Sequence, residues 1–303
     1  MSDSLPWTLE SASHRNEGGL RWSHAGSNLC LDFHGDPLSA GLVVFSDGNH
    51  HMALEAILRA FRSRHTNLDD IFYTTTPPGV LLDYLEAGHL WLGNLCLTCV
   101  PDIFISPPEI MARLQQDGHI DHHQPFMRSR GNVLLVRKGN PNNIQSIADV
   151  IRDDVRLFIS NPHTETTSYE VYSQSLVNLA SAQELDSDAL QVKIADSTRT
   201  LYGERIHHRE APQALYNGRA DVAMVYYHLA LRYTRIFPND FDFIPLGGSK
   251  DNPQPPSGNI CTTYHIARLK TENRYSAPLM EFVFDKQVTG IIQTHGLERI
   301  HSA

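Results

Sequence analysis

The residues best equipped for chemistry in this sequence are histidines, and several stand in pairs: His50-His51, His122-His123 and His207-His208. The run Tyr226-Tyr227-His228 adds two phenols, and small hydroxyl residues mark the turns at Ser46, Thr75-Thr76, Ser160 and Thr166-Thr167-Ser168. Imidazole and phenolate suit a transition-metal ion. Protonated imidazole, hydroxyls and backbone N–H groups suit an anion. Neighbouring residues on a helix point roughly 100° apart, so at most one member of each His pair need face a site. His122-His123 lies in the polar stretch GHIDHHQP and reads as a solvated loop. Cys96-Leu97-Thr98-Cys99 has zinc or redox spacing, but a zinc site needs a second pair, and Cys30 and Cys261 are isolated. Two buried thiols are the expectation there. Asp32-x-His34-x-Asp36 mixes ligand types at alternate positions; the same groups lock a chain segment by bonding backbone, and the lock is the preferred reading.

Covalent catalysis finds no footing. The sequence holds no G-x-S-x-G elbow, no phosphate-cradling G-x-x-x-x-G-K-[ST] loop, no G-x-G-x-x-G and no H-E-x-x-H. Asp47 and His50 can pair for acid–base work, yet no matched nucleophile accompanies them. Binding without chemistry is therefore expected.

Composition narrows the partners. Of 303 residues, 41% are hydrophobic and 19% charged, enough apolar material for one large or two ordinary domains. The net charge of -9 argues against a nucleic-acid or anionic-membrane partner, because phosphate binding needs clustered Lys and Arg. No run reaches the roughly 18 apolar residues that span a bilayer, so no membrane insertion is expected. The start, MSDSLPWTLESASHRNEGGL, lacks a basic segment followed by an apolar one, and four cysteines are few for a disulfide scaffold. Both features place the chain in the cytoplasm with reduced thiols.

The elements that must position these residues alternate. Leu42-Val43-Val44-Phe45 is apolar and β-branched, as a buried parallel strand should be, and Met52, Leu54, Ile57, Leu58 and Phe61 follow at helical spacing. Strands are predicted again over 71–75, 102–106, 133–136, 155–160 and 221–226, with helices over 80–85, 110–114, 144–151, 172–179 and within 275–296. Strands alternating with helices specify an α/β protein with mainly parallel sheet. In such sheets ligands bind beyond the strand carboxyl ends, where helix N-termini offer free N–H groups. Ser46–Asn49, Thr75–Gly79, Ser160–Ser168 and Tyr226–His228 are four loops of that kind. The Gly- and Pro-rich segment 247–257 reads as a hinge or crossover.

The order of motifs resembles the type II periplasmic-binding-protein-like family, and within it the molybdate/tungstate-binding proteins of ABC importers. The resemblance rests on VVFSDGNHHMALEAILRAF, PPGVLLDYLEAG, DIFISPPEIMARLQQDG, NVLLVRKGNPNNIQSIADV, VRLFISNPHTETTSYEVYSQSL and QALYNGRADVAMVYYHLAL, in that order from about residue 41 onward. It implies two lobes with a ligand cleft between them, closing by hinge motion. The implied boundaries are an arm over 1–40, a first lobe over 41–130 and 259–303, and a second over 131–258, with hinge crossings near 131 and 246–258.

Carried over by position, the resemblance puts ligand contacts at Ser46, Asn49, His50, Thr76, Gly79, Thr167, Ser168, His207, His208 and Tyr226. Several depart from the family's usual residues: Asn49 stands where a Ser is usual, and Pro77-Pro78-Gly79 where the family has a run of Ser. The implied ligand is a small tetrahedral oxyanion such as molybdate or tungstate, bound more weakly as pH rises past the histidine pKa. GNHH and VYYH are similar to stretches of ferric-ion-binding proteins, which implies an alternative transition-metal set of His50, His207, Tyr226 and Tyr227. A cytosolic sensor or regulatory module is a further alternative, and the receiving transporter or regulator is not named by the sequence.

Overall fold

The computed structural model describes residues 32–48, 51–92, 95–204 and 206–300, without the side chains of His51, Met52 and Leu92. In chain order the strands are β1 (Phe33–His34), β2 (Leu42–Ser46), β3 (Ile71–Thr74), β4 (Leu90–Leu92), β5 (Leu95–Leu97), β6 (Ile103–Ser106), β7 (Gln124–Ser129), β8 (Asn132–Arg137), β9 (Leu157–Ile159), β10 (Thr200–Tyr202), β11 (Val222–Tyr226), β12 (Phe241–Pro245), β13 (Thr263–Arg268) and β14 (Leu297–Arg299). The helices are α1 (His51–Arg64), α2 (Pro78–Ala87), α3 (Pro108–Gln116), α4 (Ile147–Ile151), α5 (Thr166–Ala182), α6 (Ser187–Ala195), α7 (His207–Tyr216), α8 (Tyr227–Ile236), α9 (Ser276–Phe282) and α10 (Lys286–Thr294). Local chemistry sets several ends. α2 starts with Pro78 and stops at Gly88, which takes the left-handed conformation (φ 70°) that a side chain would resist. Ser146 and Asp149 form a reciprocal capping box on α4.

The chain divides into two compact units. Among the described residues, one is an insert, Ser129–Thr262, and the other, split in sequence, holds those from Asp32 to Arg128 and those from Thr263 on. The split unit is built on a seven-stranded sheet in the order β1-β3-β2-β6-β13-β7-β14. Alternate residues face opposite layers: Leu42, Val44 and Ile71 pack with Leu54, Ile57 and Phe61 of α1 and with α9 and α10, whereas Val43, Phe45 and Phe72 pack with Leu81 of α2 and Met111 of α3. β4 and β5 form a separate antiparallel hairpin.

The insert is built on a five-stranded sheet, β10-β9-β11-β8-β12. Both sheets are mixed, which corrects the mainly parallel expectation. β2, β3 and β6 are parallel to one another, as are β9, β10 and β11. β13 lies antiparallel to β6 and β7, and β8 antiparallel to β11 and β12. Among the strands the sequence reading passed over are QPFMRS, FDFIP and TYHIAR, whose polar residues interrupt the apolar run. The loop 247–257 folds on itself: Gln254 N–H donates to Gly247 C=O, and a Cβ at Gly247 would stand 2.3 Å from Gln254 O.

The insert's chain entry and exit are bonded together. Ser129 N–H donates to Thr262 C=O and Thr262 N–H to Ser129 Oγ, both at 2.8 Å. Asn259 accepts from Asn132 N–H at 2.8 Å and donates to Asn132 C=O at 2.9 Å, while Asn132 Nδ2 donates to Ser175 Oγ on α5. Replacing Asn259 with Ala is expected to destabilise the protein by about 1–3 kcal/mol, because it strips partners from a buried backbone. A lower denaturant midpoint at unchanged slope is the measurement that checks it.

Candidate functional site

Because β2, β3 and β6 run parallel, their carboxyl ends share one edge of the split unit's sheet, and each leads into a helix N-terminus: α1, α2 and α3. Ser46 is buried there, its N–H donating to Thr74 Oγ1 (3.1 Å) and its hydroxyl to Asp47 C=O (3.2 Å). Thr76 and Ser106 are also buried, and Gly79 sits in the first turn of α2 with open space where a Cβ would go. Asn49 and His50 lie outside the described residues. The segment 32–39 is fastened to this edge: Thr75 Oγ1 donates to the Asp32 carboxylate (3.2 Å) and accepts from His34 Nε2 (3.0 Å). Asp36 caps its own turn, accepting from Leu38 N–H and Ser39 Oγ. Asp32, His34 and Asp36 therefore lock chain, as the sequence reading preferred.

In the insert, β9, β10 and β11 bring Ser160, the α7 start and Tyr226 to one edge. Thr167 and Ser168 stand in the first turn of α5, Thr167 exposed and Ser168 half-buried. His207 corrects the expectation of a protonated ligand contact. Its ring packs against Phe158 and Tyr172 (centroids 5.5 and 4.8 Å), its Nε2–H donates to Met224 C=O (3.0 Å), and burial pushes its pKa down to about 3. The imidazole is neutral, and its Nδ1 is a buried acceptor without a partner. The α7 N-terminus is already filled: His207 N–H donates to both oxygens of Glu165 (3.0 and 3.1 Å), a carboxylate on the positive end of the helix. His208 is also buried, its carbonyl accepting from Tyr233 Oη (2.6 Å), so neither member of this pair is a solvated histidine.

The tyrosine pair separates. Tyr226, 1% exposed, bonds Thr262 Oγ1 through its hydroxyl (2.7 Å), and its ring lies between Tyr172 and His228. Tyr227 donates to Lys250 C=O (2.9 Å), with its ring edge-on to Phe243. Among the described residues no group of three or more His, Cys, Asp or Glu gathers to hold a metal ion. Of the alternative metal set, Tyr226 and Tyr227 bond different partners, Thr262 Oγ1 and Lys250 C=O, His207 Nε2 bonds Met224 C=O, and His50 lies outside the described residues.

The other paired motifs have local partners. His123 Nδ1 meets His265 Nδ1 at 2.6 Å, one ring donating to the other, and burial lowers both pKa values. Cys99 Sγ contacts Tyr84 Oη at 3.3 Å, and Cys96 and Cys99 form no disulfide with each other. Sequence reasoning missed Glu165, which stands next to the hydroxyl run it singled out, and Ser106, which closes the apolar strand IFIS.

A family model described as bacterial extracellular solute-binding protein matches residues 42–298. A search of curated protein sequences gave no match. Among solved structures, the sulfate-binding protein SubI from Mycobacterium tuberculosis is 15% identical with a TM-score of 0.64, over 86% of each chain. The periplasmic molybdate-binding protein of Azotobacter vinelandii is 14% identical with a TM-score of 0.62, over 86% of this chain and all (100%) of that one. Iron-bound HitA from Pseudomonas aeruginosa is 14% identical with a TM-score of 0.54, over 84% of this chain and 82% of that one. At these identities the likeness is one of fold. The family match overturns the cytoplasmic expectation, since an extracellular family points to the periplasm. No helix among the described residues is long and apolar enough to cross a membrane.

Two outcomes follow from the site's bonding. Tyr226→Phe removes the bond to Thr262 and is expected to lower stability by about 0.5–1.5 kcal/mol in a denaturant titration. His207 carries its proton more readily unfolded (pKa about 6.5) than folded (about 3). Its stabilising contribution is therefore intact above pH ~6.5 and falls as pH drops through that value toward 3, by roughly 1.4 kcal/mol per unit at most. A His207→Gln variant should show a flatter melting-temperature profile than wild type between neutral and acid pH.

Proposed function

We propose a ligand class for this chain from the premise that it belongs to the bacterial extracellular solute-binding proteins. It is a binding protein for a small solute and not an enzyme. The ligand is a small tetrahedral oxyanion, of the shape shared by molybdate, tungstate and sulfate. One observation carries this reading. Each unit holds a fully buried serine hydroxyl without a hydrogen-bond partner at the carboxyl end of a parallel strand: Ser106 on β6 and Ser160 after β9. A buried polar atom left unsatisfied costs about 1–3 kcal/mol, and such atoms call for a missing partner. A ligand oxygen supplies it, accepting the hydroxyl proton where helix N-termini also favour negative charge.

The likeness to molybdate- and sulfate-binding structures supports the choice of anion. Thr76, Gly79, Thr167 and Ser168, on first turns or strand ends, complete the proposed contacts with Asn49 and His50. The chain passes between the two units after Arg128 and after Thr262.

Molybdate, tungstate, sulfate and phosphate should be tested for a concentration-dependent rise in melting temperature. A rise with Fe³⁺ or Zn²⁺ and with none of the anions would replace the oxyanion by a metal. Ser160→Ala provides a second check, because it removes an unsatisfied hydroxyl from the free protein. The ligand-free melting temperature is expected to hold or increase, while anion affinity drops roughly ten- to a hundredfold, as for a lost charge-assisted bond of about 1.5–3 kcal/mol.

A further inference from the structure

A bulge decides which histidines meet between β7 and β13 of the split unit. Thr263 pairs with Arg128 and Tyr264 with Met127, but His265 pairs with Pro125, so the register skips Phe126. Without that slip His265 would stand across from Phe126, and His123 would carry its side chain on the opposite face. With it, Pro125 is level with His265, and His123, just ahead of β7, lies diagonally across on the same face. The two rings meet there, Nδ1 to Nδ1 at 2.6 Å, with centroids 4.8 Å apart. Both residues are half-buried, so solvent and ions reach them.

Two nitrogens this close hold either a proton or a metal ion between them. With a proton, one ring is the Nδ1–H tautomer and donates to the other. With a metal, both Nδ1 lone pairs turn to the ion, and the donating ring passes its proton through solvent to Nε2. Burial lowers the pKa of both imidazoles, which favours the neutral, ligating form. Glu109, exposed in the first turn of α3, is a negative charge that acts on His265 and favours a cation beside it. Distance then chooses the metal. With metal–imidazole bonds of about 2.0–2.1 Å, a right angle at the ion sets the nitrogens about 2.9 Å apart, and a tetrahedral angle about 3.3 Å. From 2.6 Å the first needs an opening of roughly 0.3 Å and the second more than twice that. Right-angle ligation by nitrogen and oxygen suits Cu²⁺ and Ni²⁺, whereas Zn²⁺ prefers the tetrahedron. Among the described residues no third His, Cys, Asp or Glu joins the pair, so water fills the other positions.

We propose that His123 and His265 form a two-imidazole site for a divalent copper or nickel ion. The site uses none of the proposed solute contacts and does not depend on the oxyanion reading.

Calorimetric titration of the full chain with Ni²⁺ at neutral pH tests it, with His122→Ala as the control, since His122 is the exposed neighbour in sequence. Wild type and His122→Ala are expected to bind Ni²⁺ alike. His123→Ala and His265→Ala should each bind it more weakly by about tenfold or more, since losing even a partner of a ligand costs that much. Cu²⁺ should bind wild type more tightly than Ni²⁺ does. With one equivalent of Cu²⁺, the electron paramagnetic resonance of wild type should show two imidazole nitrogens, and that of His123→Ala one. Ni²⁺ binding that is absent from wild type, undiminished in His123→Ala, or weakened equally in His122→Ala would overturn the site. Should either ligand variant fail to fold, the wild-type copper spectrum decides: fewer than two imidazole nitrogens would overturn the site.

Discussion

The insert depends on one constraint: a chain that enters at Ser129 must leave again at Thr262 beside its own entry. Side chains enforce it. Asn259 imitates a strand, giving Asn132 both an acceptor and a donor, and Ser175 reaches from α5 to the Asn132 amide and to Ile260 N–H. Gly131 takes a left-handed turn (φ 74°) where a Cβ would stand 2.7 Å from Pro255. Tyr226 ties the end of β11 to the same place through Thr262, and Tyr227 N–H donates to Gly131 C=O. Strand, helix and exit segment converge here, so this unit's sheet, the Tyr172–Tyr226–His228 stack and the α8 start are positioned from a single stitch.

Several buried polar side chains of the insert are paired with backbone groups around them. His207 illustrates the trade. Its Nε2–H satisfies a strand carbonyl, its main-chain N–H is given to Glu165, and the ring fills space against Phe158 and Tyr172. Lys193 does the same with a full charge, burying its stem and giving its ammonium to the carbonyls of Arg152 and Val155. Burial pulls its pKa down to about 8, since the charged form loses water that two carbonyls only partly replace. Such groups shape one packed arrangement rather than meet solvent.

Legibility in the sequence followed how local the determining physics is. LVVFS, IFIS and VAMVY were readable as buried strands because every residue in them is buried on one face or the other. The helix starts at Pro78 and Pro108 were readable because proline fixes the backbone there. α6 was not: SDALQVKIA buries Leu190, Lys193 and Ile194, and a buried lysine conceals the stripe. The site was harder still. Hydroxyls at strand ends were visible as residue types, but only the register shows that Ser46 stands across from Ile105, beside the end of β6. No spacing rule would have told a solvated histidine pair from His207-His208, both buried, because the atoms that cover them come from Phe158, Tyr172 and Met224, distant in sequence.

The fastening of residues 32–39 onto β3 bears on how copies of this chain behave near one another. An open strand edge offers a row of unpaired amides and carbonyls on which another chain can grow a sheet. Among the described residues the seven-stranded sheet ends on β1 at one side and β14 at the other, two and three residues long. Both outermost ladders are therefore too short to template a partner strand. The Asp32, His34 and Asp36 bonds that hold β1 in place thus guard against edge-to-edge aggregation, a hazard that grows with local protein concentration.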